Sequence, residues 1–243
     1  MKKAIGYVYV IAAAVCWGFL GLFNRVLTAA GVSLLNMMPL RFGGTAILLT
    51  VFCMMFKQQV FHIKLRHLPI FLGSGLISML LVLCGCALVS GIVGSDVGIS
   101  LEGLLMGLAS ELCYGGYTIF THYGMRYCDS FTMAYWTFLI AGIASLFLAD
   151  GPALLSALAE PRTGLAALGL MVMGTALPFT LYTKGLETVE SGKAAIIANI
   201  EPVMSAVIGV TVFQETLGLW TLVGIVLVLS GVVVLACEKE PDK

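Results

Sequence analysis

Apolar residues in this chain come in long unbroken runs separated by short polar punctuation, unlike the alternating or one-faced patterns of a water-soluble fold. Crossing a hydrocarbon layer takes roughly 20 apolar residues. Runs of that order fall at about 5–28, 35–56, 68–93, 101–122, 131–149, 164–187, 191–213 and 217–237. The pattern predicts an all-α polytopic membrane protein with about eight transmembrane helices. The longest connectors, KQQVFHIKLRH (57–67) and DGPALLSALAEPRT (150–163), are too short for a soluble domain. Lys2 and Lys3 precede an apolar run of 19 residues from Ile5 to Phe23, longer than the core of a secretory leader, so a retained first helix is expected.

Composition sharpens this picture. Of 243 residues, 60% are hydrophobic and 11% charged, and a soluble domain of this length needs far more polar surface. The formal net charge is zero, so no basic field invites nucleic acid. The seven Cys lie within apolar runs and read as small buried residues. Cys84 and Cys86, two residues apart, point to different faces of a helix, so no metal site is expected there. Neither a phosphate-binding loop, a dinucleotide glycine pattern, HExxH nor a nucleophile elbow occurs. An enzyme, a cofactor and an ATP-driven pump are therefore not expected.

Placement of Lys and Arg sets the orientation. With the N-terminus inside, Lys2, Lys3, Lys57, Lys64, Arg66, Arg126, Lys184, Lys193, Lys239 and Lys243 face the cytoplasm, against Arg25, Arg41 and Arg162 outside. Ten against three puts both termini on the cytoplasmic side of the cell (plasma or inner) membrane, with lipid as the surrounding partner. Gly103 and Gly107 form a small-residue contact face that packing within one chain or in a homodimer would use equally well.

The chain also repeats itself. AVCWGFLGLF (14–23) lines up on ELCYGGYTIF (111–120) at an offset of 97 residues, pairing Trp17 with Tyr114. LVLCGCALV (81–89) lines up on LVLSGVVVL (227–235) at an offset of 146. The difference leaves the first copy about 49 residues short, the length of two spans. Three spans precede the second copy, so the copies cross the membrane in opposite senses. The expected organisation is a shortened repeat over 1–95 with three spans and a full repeat over 96–243 with five. Inverted repeats of this kind place a binding site near the midplane between the copies.

The motifs CWGFLGLFNR (16–25) with LRF (40–42), GTALPFTLYTKGLE (174–187), IEPVMSAVIGVTVFQE (200–215) and LVGIVLVLSGVVVL (222–235) resemble the EamA family of the drug/metabolite transporter superfamily. Members of that family usually carry two five-helix repeats. The segment 68–91 looks like the start of the family's third helix fused to the end of its fifth, so the fourth helix is missing. The resemblance implies a secondary transporter that moves small metabolites, amino-acid-like or related compounds, outward by alternating access. The alternative is a degenerate or assembly-dependent membrane protein without transport of its own.

Ionisable groups deep in a span are costly and mark function by default. Glu111 and Glu201 both fall near the middle of a span, where a carboxyl could trade protons with a gradient; structural pairing is the competing reading for each. Glu111 shares a helix face with Tyr114, Thr118 and His122. Trp17, Tyr114 and Tyr182 are candidate cavity residues, against ordinary packing. Arg41, six residues into its span, either snorkels to the interface or meets an anionic substrate group. Pro178 and Pro202 lie mid-span, where each removes a backbone donor and kinks its helix. His62 and His67 belong to a basic, lipid-facing loop. Trp136 and Trp220, near span ends, read as interfacial anchors.

Overall fold

An apolar run does not tell a helix where to bend, so the bends come from residues that disturb the backbone ladder. The computed structural model describes residues 2–89 and 101–237. The junction expected at 95/96, and the side-chain surroundings of Glu111, Cys84, Cys86, Gly103, Gly107 and Trp220, lie outside the described residues.

The first rod consists of α1 (Lys2–Gly18) and α2 (Leu20–Ala29). They are offset at Phe19, whose N–H reaches back to the Cys16 carbonyl at 3.1 Å. Gly31, at φ 83°, turns the chain back. The second rod starts with α3 (Leu34–Met38), where Ser33 caps the Asn36 N–H at 3.2 Å, passes through a π-turn at Pro39–Gly44 and continues as α4 (Thr45–Phe56). Then come α5 (Leu68–Val89), α6 (Leu101–Gly124) and α7 (Ser130–Ser145). The connector 150–163 is not featureless: it holds α8 (Gly151–Leu158), capped by Asp150 and primed by Pro152 in the first turn. The remaining helices are α9 (Pro161–Met171), a π-turn at Val172–Ala176, α10 (Leu177–Gly185), α11 (Ser191–Ala198), α12 (Ile200–Phe213) and α13 (Leu219–Cys237).

Among the described residues, Ala4–Ala29, Leu35–Phe56, Pro161–Gly185 and Ser191–Phe213 are long and apolar enough to cross a membrane. Shorter apolar helices cover Leu68–Leu80, Ser130–Ser145 and Thr221–Val233. Val8, Ile47, Leu165 and Val226 lie exposed along these helices, as lipid-facing side chains must. The chain is a multi-pass, all-helical membrane protein.

Contacts at the two ends show how the rods alternate. At one end Arg25 pairs with Glu215, its guanidinium 4.5 Å from the Phe213 ring centre, and Asn36 accepts the Asp150 N–H at 2.7 Å. At the other, the Trp136 indole donates to the Val60 carbonyl at 2.9 Å, and Gly6 lies against Thr188 and Val189.

Lipid tails are as apolar as leucine, so helices associate through close approach and interhelical hydrogen bonds. Hydroxyls join Thr50 to Tyr135 at 3.1 Å, Ser74 to Thr137 at 2.7 Å and Thr118 to Tyr182 at 3.2 Å. Each such bond contributes on the order of 0.6 kcal/mol. A close backbone-to-backbone approach joins α7 to the Pro39–Gly44 turn. A methyl on Gly142 would stand 2.9 Å from Gly43 Cα and 3.1 Å from its nitrogen, and this backbone has no rotamer to yield with. Gly142→Ala is therefore expected to cost about 1–3 kcal/mol in detergent thermal unfolding. Gly224→Ala, with open space around it, should leave the transition in place. Equal melting of the two variants would show that this seam is not tight.

Candidate functional site

On α6 the spacing of Tyr114, Tyr117, Thr118 and Thr121 puts four polar side chains on one face. On α10 Phe179, Tyr182 and Thr183 likewise share one face. These faces meet α1 at Trp17, which is only 3% exposed. The Trp17 ring lies 5.0 Å from Phe179, 5.4 Å from Tyr182 and 6.3 Å from Tyr114, centre to centre. Tyr117 and Phe138 pack edge-on to Phe179 at 5.4 and 5.1 Å, and Tyr114 lies 5.9 Å from Tyr182. The three aromatic residues singled out in the sequence thus form one cluster. Tyr117, Phe138 and Phe179 complete it; the i+3 step from Tyr114 and the i−3 step from Tyr182 were the available signals for two of them. The α6 stripe runs through Thr121, which is buried, whereas His122 is exposed and lies off it.

Polar groups within this cluster are incompletely satisfied. Trp17 Nε1 and the hydroxyls of Tyr114, Tyr117, Thr121 and Thr183 are buried without a hydrogen-bond partner among the described residues. Tyr117 sits within electrostatic reach of Thr121 and Thr183, although no pair closes to a hydrogen bond. Orphaned buried donors cost about 1–3 kcal/mol each. A cluster of them therefore needs an explanation, such as a strained site that a polar guest completes.

Arg41 borders the cluster from the Pro39–Gly44 π-turn. Its Nε donates to Thr175 Oγ1 at 3.2 Å, and its guanidinium carbon lies 5.7 Å from the Phe42 ring centre and 5.9 Å from that of Phe179. The side chain is thus turned between helices towards a second π-turn. Thr175 in turn donates to the Leu170 carbonyl at 2.9 Å, and Thr45 donates to Met171 O at 3.0 Å. Carbonyls loosened where α9 gives way to the π-turn are therefore capped by hydroxyls. Pro178 follows immediately, as the second residue of α10. The chain breaks again at Asn199, three residues before Pro202, and Glu201 lies in the first turn of α12. Its carboxyl is within electrostatic range of the Tyr114 hydroxyl. Glu111 lies on α6 one turn before Tyr114, with its side chain outside the described residues. Among the described residues no three His, Cys, Asp or Glu side chains gather as metal ligands.

The arrangement offers π-faces, unpaired N–H and O–H donors, a cation at one border and a carboxyl within range, all at a helix crossing inside an apolar bundle. Such a combination can bind a small molecule carrying both charge signs.

Comparisons with known proteins agree on the class. A protein of Bacillus subtilis named uncharacterized transporter YwfM is 23% identical over 293 aligned positions, covering all of this chain and 97% of that protein. A segment covering 28% of this chain is 41% identical to an uncharacterized transporter of Archaeoglobus fulgidus, of which it spans only 25%. The protein of Bacillus atrophaeus named multidrug resistance protein EbrB is 32% identical over 87 residues, 35% of this chain and 74% of that protein. Residues 101–237, more than half of the chain, match the EamA-like transporter family. This membrane-embedded, multi-pass chain belongs to the EamA-like transporter family.

Proposed function

We propose that the protein is a secondary transporter that carries a small zwitterionic, amino-acid-like metabolite outward by alternating access, with the aromatic cluster around Trp17 as its substrate site. The observation that carries this reading is the group of buried donors at Trp17, Tyr114 and Tyr117, without partners among the described residues and enclosed by aromatic faces with Arg41 at the border. Arg41 would take the carboxylate. The π-faces and Glu201 would take the ammonium, since a cation over an aromatic ring is stabilised by about 0.5–2 kcal/mol. Glu201 and Glu111 would couple the cycle to protons. No step in this cycle makes or breaks a covalent bond in the substrate, so the protein is not an enzyme.

The reading includes eight spans in two inverted repeats, with both termini cytoplasmic. Trp17 and Tyr114, equivalent positions in the two copies, touch across α1 and α6, as symmetric residues at a pseudo-two-fold axis should. The 293 positions aligned with the Bacillus subtilis relative exceed this chain's 243 residues by 50, which fits a first repeat short of two spans. The shortening also favours a second reading, a bundle that no longer transports and is stable only with a second copy. Exposed Leu219, Val226 and Val233 on α13 suit such a partner.

Thermal unfolding in detergent against amino acids, amines and nucleosides, followed by flux into vesicles, separates the two. A ligand that binds only the folded state raises the melting temperature by mass action. A shift confined to zwitterions, with flux, supports the first reading. A ligand-blind homodimer without flux supports the second. Arg41→Gln is expected to weaken zwitterion binding by about 10- to 150-fold, the value of one charged hydrogen bond of about 1.5–3 kcal/mol. Undiminished affinity would take Arg41 out of the site.

A further inference from the structure

Away from the aromatic cluster, at the end of the bundle that carries the Val60–Trp136 contact, lies a cavity of about 470 Å³. Two connectors build it. From 57–67 come His62, Lys64 and His67, held by 3₁₀ turns in which the His62 N–H bonds the Gln59 carbonyl and the His67 N–H that of Lys64. From the turn between α6 and α7 come Arg126, Cys128 and Asp129. Phe71 and Tyr127 close the apolar side, the Tyr127 ring lying tilted against His67 at 4.3 Å, centre to centre.

The charge balance in this cavity is cationic. Lys64 and Arg126 are standing cations, and among the described residues neither has an ion-pair partner. Each histidine offers a ring N–H in either protonation state. Among the described residues Asp129 is the one carboxylate lining the cavity; one of its oxygens accepts the Thr132 hydroxyl, and its single negative charge is outnumbered by the two cations. Burial, followed by the Asp129 charge, pushes the Cys128 thiol up to about 11, so it adds no negative charge at neutral pH.

We infer that this cavity binds a phosphate group at the membrane surface, with Lys64 and Arg126 as its cationic ligands and His62 and His67 as further donors. The walls fit the proposal. Lys64 and Arg126 are exposed, while buried Phe71 supplies an apolar wall and lies 6.0 Å, ring to ring, from Trp136 outside the cavity. A basic pocket at the end of transmembrane helices is the kind of site that takes an anionic lipid headgroup. A soluble phosphate monoester would use the same donors. The inference is independent of what the aromatic cluster carries.

The test uses the full chain in nanodiscs of phosphatidylcholine alone or doped with phosphatidylglycerol, and separately in phosphatidylcholine with inorganic phosphate. Thermal stability and lipid retention by native mass spectrometry are the readouts. Each cation near a lipid surface is worth on the order of fivefold in affinity, so Lys64→Gln with Arg126→Gln should weaken binding about thirtyfold. Lys57→Gln is the control. It removes an equal charge nearby, with its ammonium 4.6 Å over the Phe131 ring, without lining the cavity. Phosphatidylglycerol preference lost in the double variant and kept in the control identifies the lipid as the source. A response to inorganic phosphate with the same variant pattern, and no lipid preference, supports the site with a soluble ligand. No response to either ligand, or equal loss in the Lys57 control, overturns the inference. The single variants guard against a misfolded double.

Discussion

Glu201→Gln is expected to reduce gradient-driven transport to the leak rate while leaving the protein folded. The exchange keeps the side chain's shape and a carbonyl acceptor but removes the group that can lose a proton. Glu201 occupies the first turn of α12, two residues beyond the break at Asn199, within electrostatic range of Tyr114. A carboxyl there can answer both to a bound ammonium and to a proton, and competition of that kind links substrate release to a gradient. The measurement is flux into vesicles under an imposed pH gradient, beside ligand-induced melting shifts. Binding retained with transport lost would locate the defect in coupling. Unchanged rates would remove this carboxylate from the mechanism, and Glu111 would become the acid to replace.

Trp17→Ala is expected to cause the larger loss of stability. Its ring touches three others from two neighbouring helices, and no flexible side chain among them can fill the space. Truncating a buried aromatic in a soluble core costs about 3–5 kcal/mol. In a bilayer the transfer part of that cost shrinks, because the unfolded reference is lipid and not water. The low end, about 3 kcal/mol, is therefore expected, with loss of ligand response. Trp17→Phe separates packing from recognition. It keeps a ring and removes an indole N–H that has no partner among the described residues, a group that costs about 1–3 kcal/mol when buried so. Melting near the wild-type temperature with weakened ligand binding would make the indole a ligand donor. Full ligand response in Trp17→Phe would leave Trp17 a packing residue.

The sequence marked the helices well because lipid and protein interior are both apolar, so a span shows up as an uninterrupted run. That same property hides which face of a span meets which neighbour. Polar residues break the silence, which is why Tyr114, Thr118, Tyr182 and Arg41 could be singled out. The stripe on α6 was drawn through His122, but the buried face turns to Thr121, one residue away, and only the neighbours decide that. Phe138 and Phe179 carried no mark, since a phenyl ring in an apolar run reads the same facing lipid or facing a site. The π-turns were not legible either. Pro178 and Pro202 signal a disturbed ladder, but not that the wider turn falls at Val172–Ala176, before Pro178, or that a second one surrounds Arg41.

Those wide turns also fix which way the side chains beyond them face. A π-turn holds one residue more than the α-turn it replaces. Removing that residue at Val172–Ala176 would let the helix close up as an ordinary one, yet rotate everything on one side of it by about 100°. Phe179 and Tyr182 would then leave the face that meets Trp17. Arg41 lies within the π-turn of its own rod, and its bond to Thr175 joins the two π-turns. A one-residue deletion at either place would therefore turn the side chains beyond it to another face while leaving the direction of every later helix unchanged.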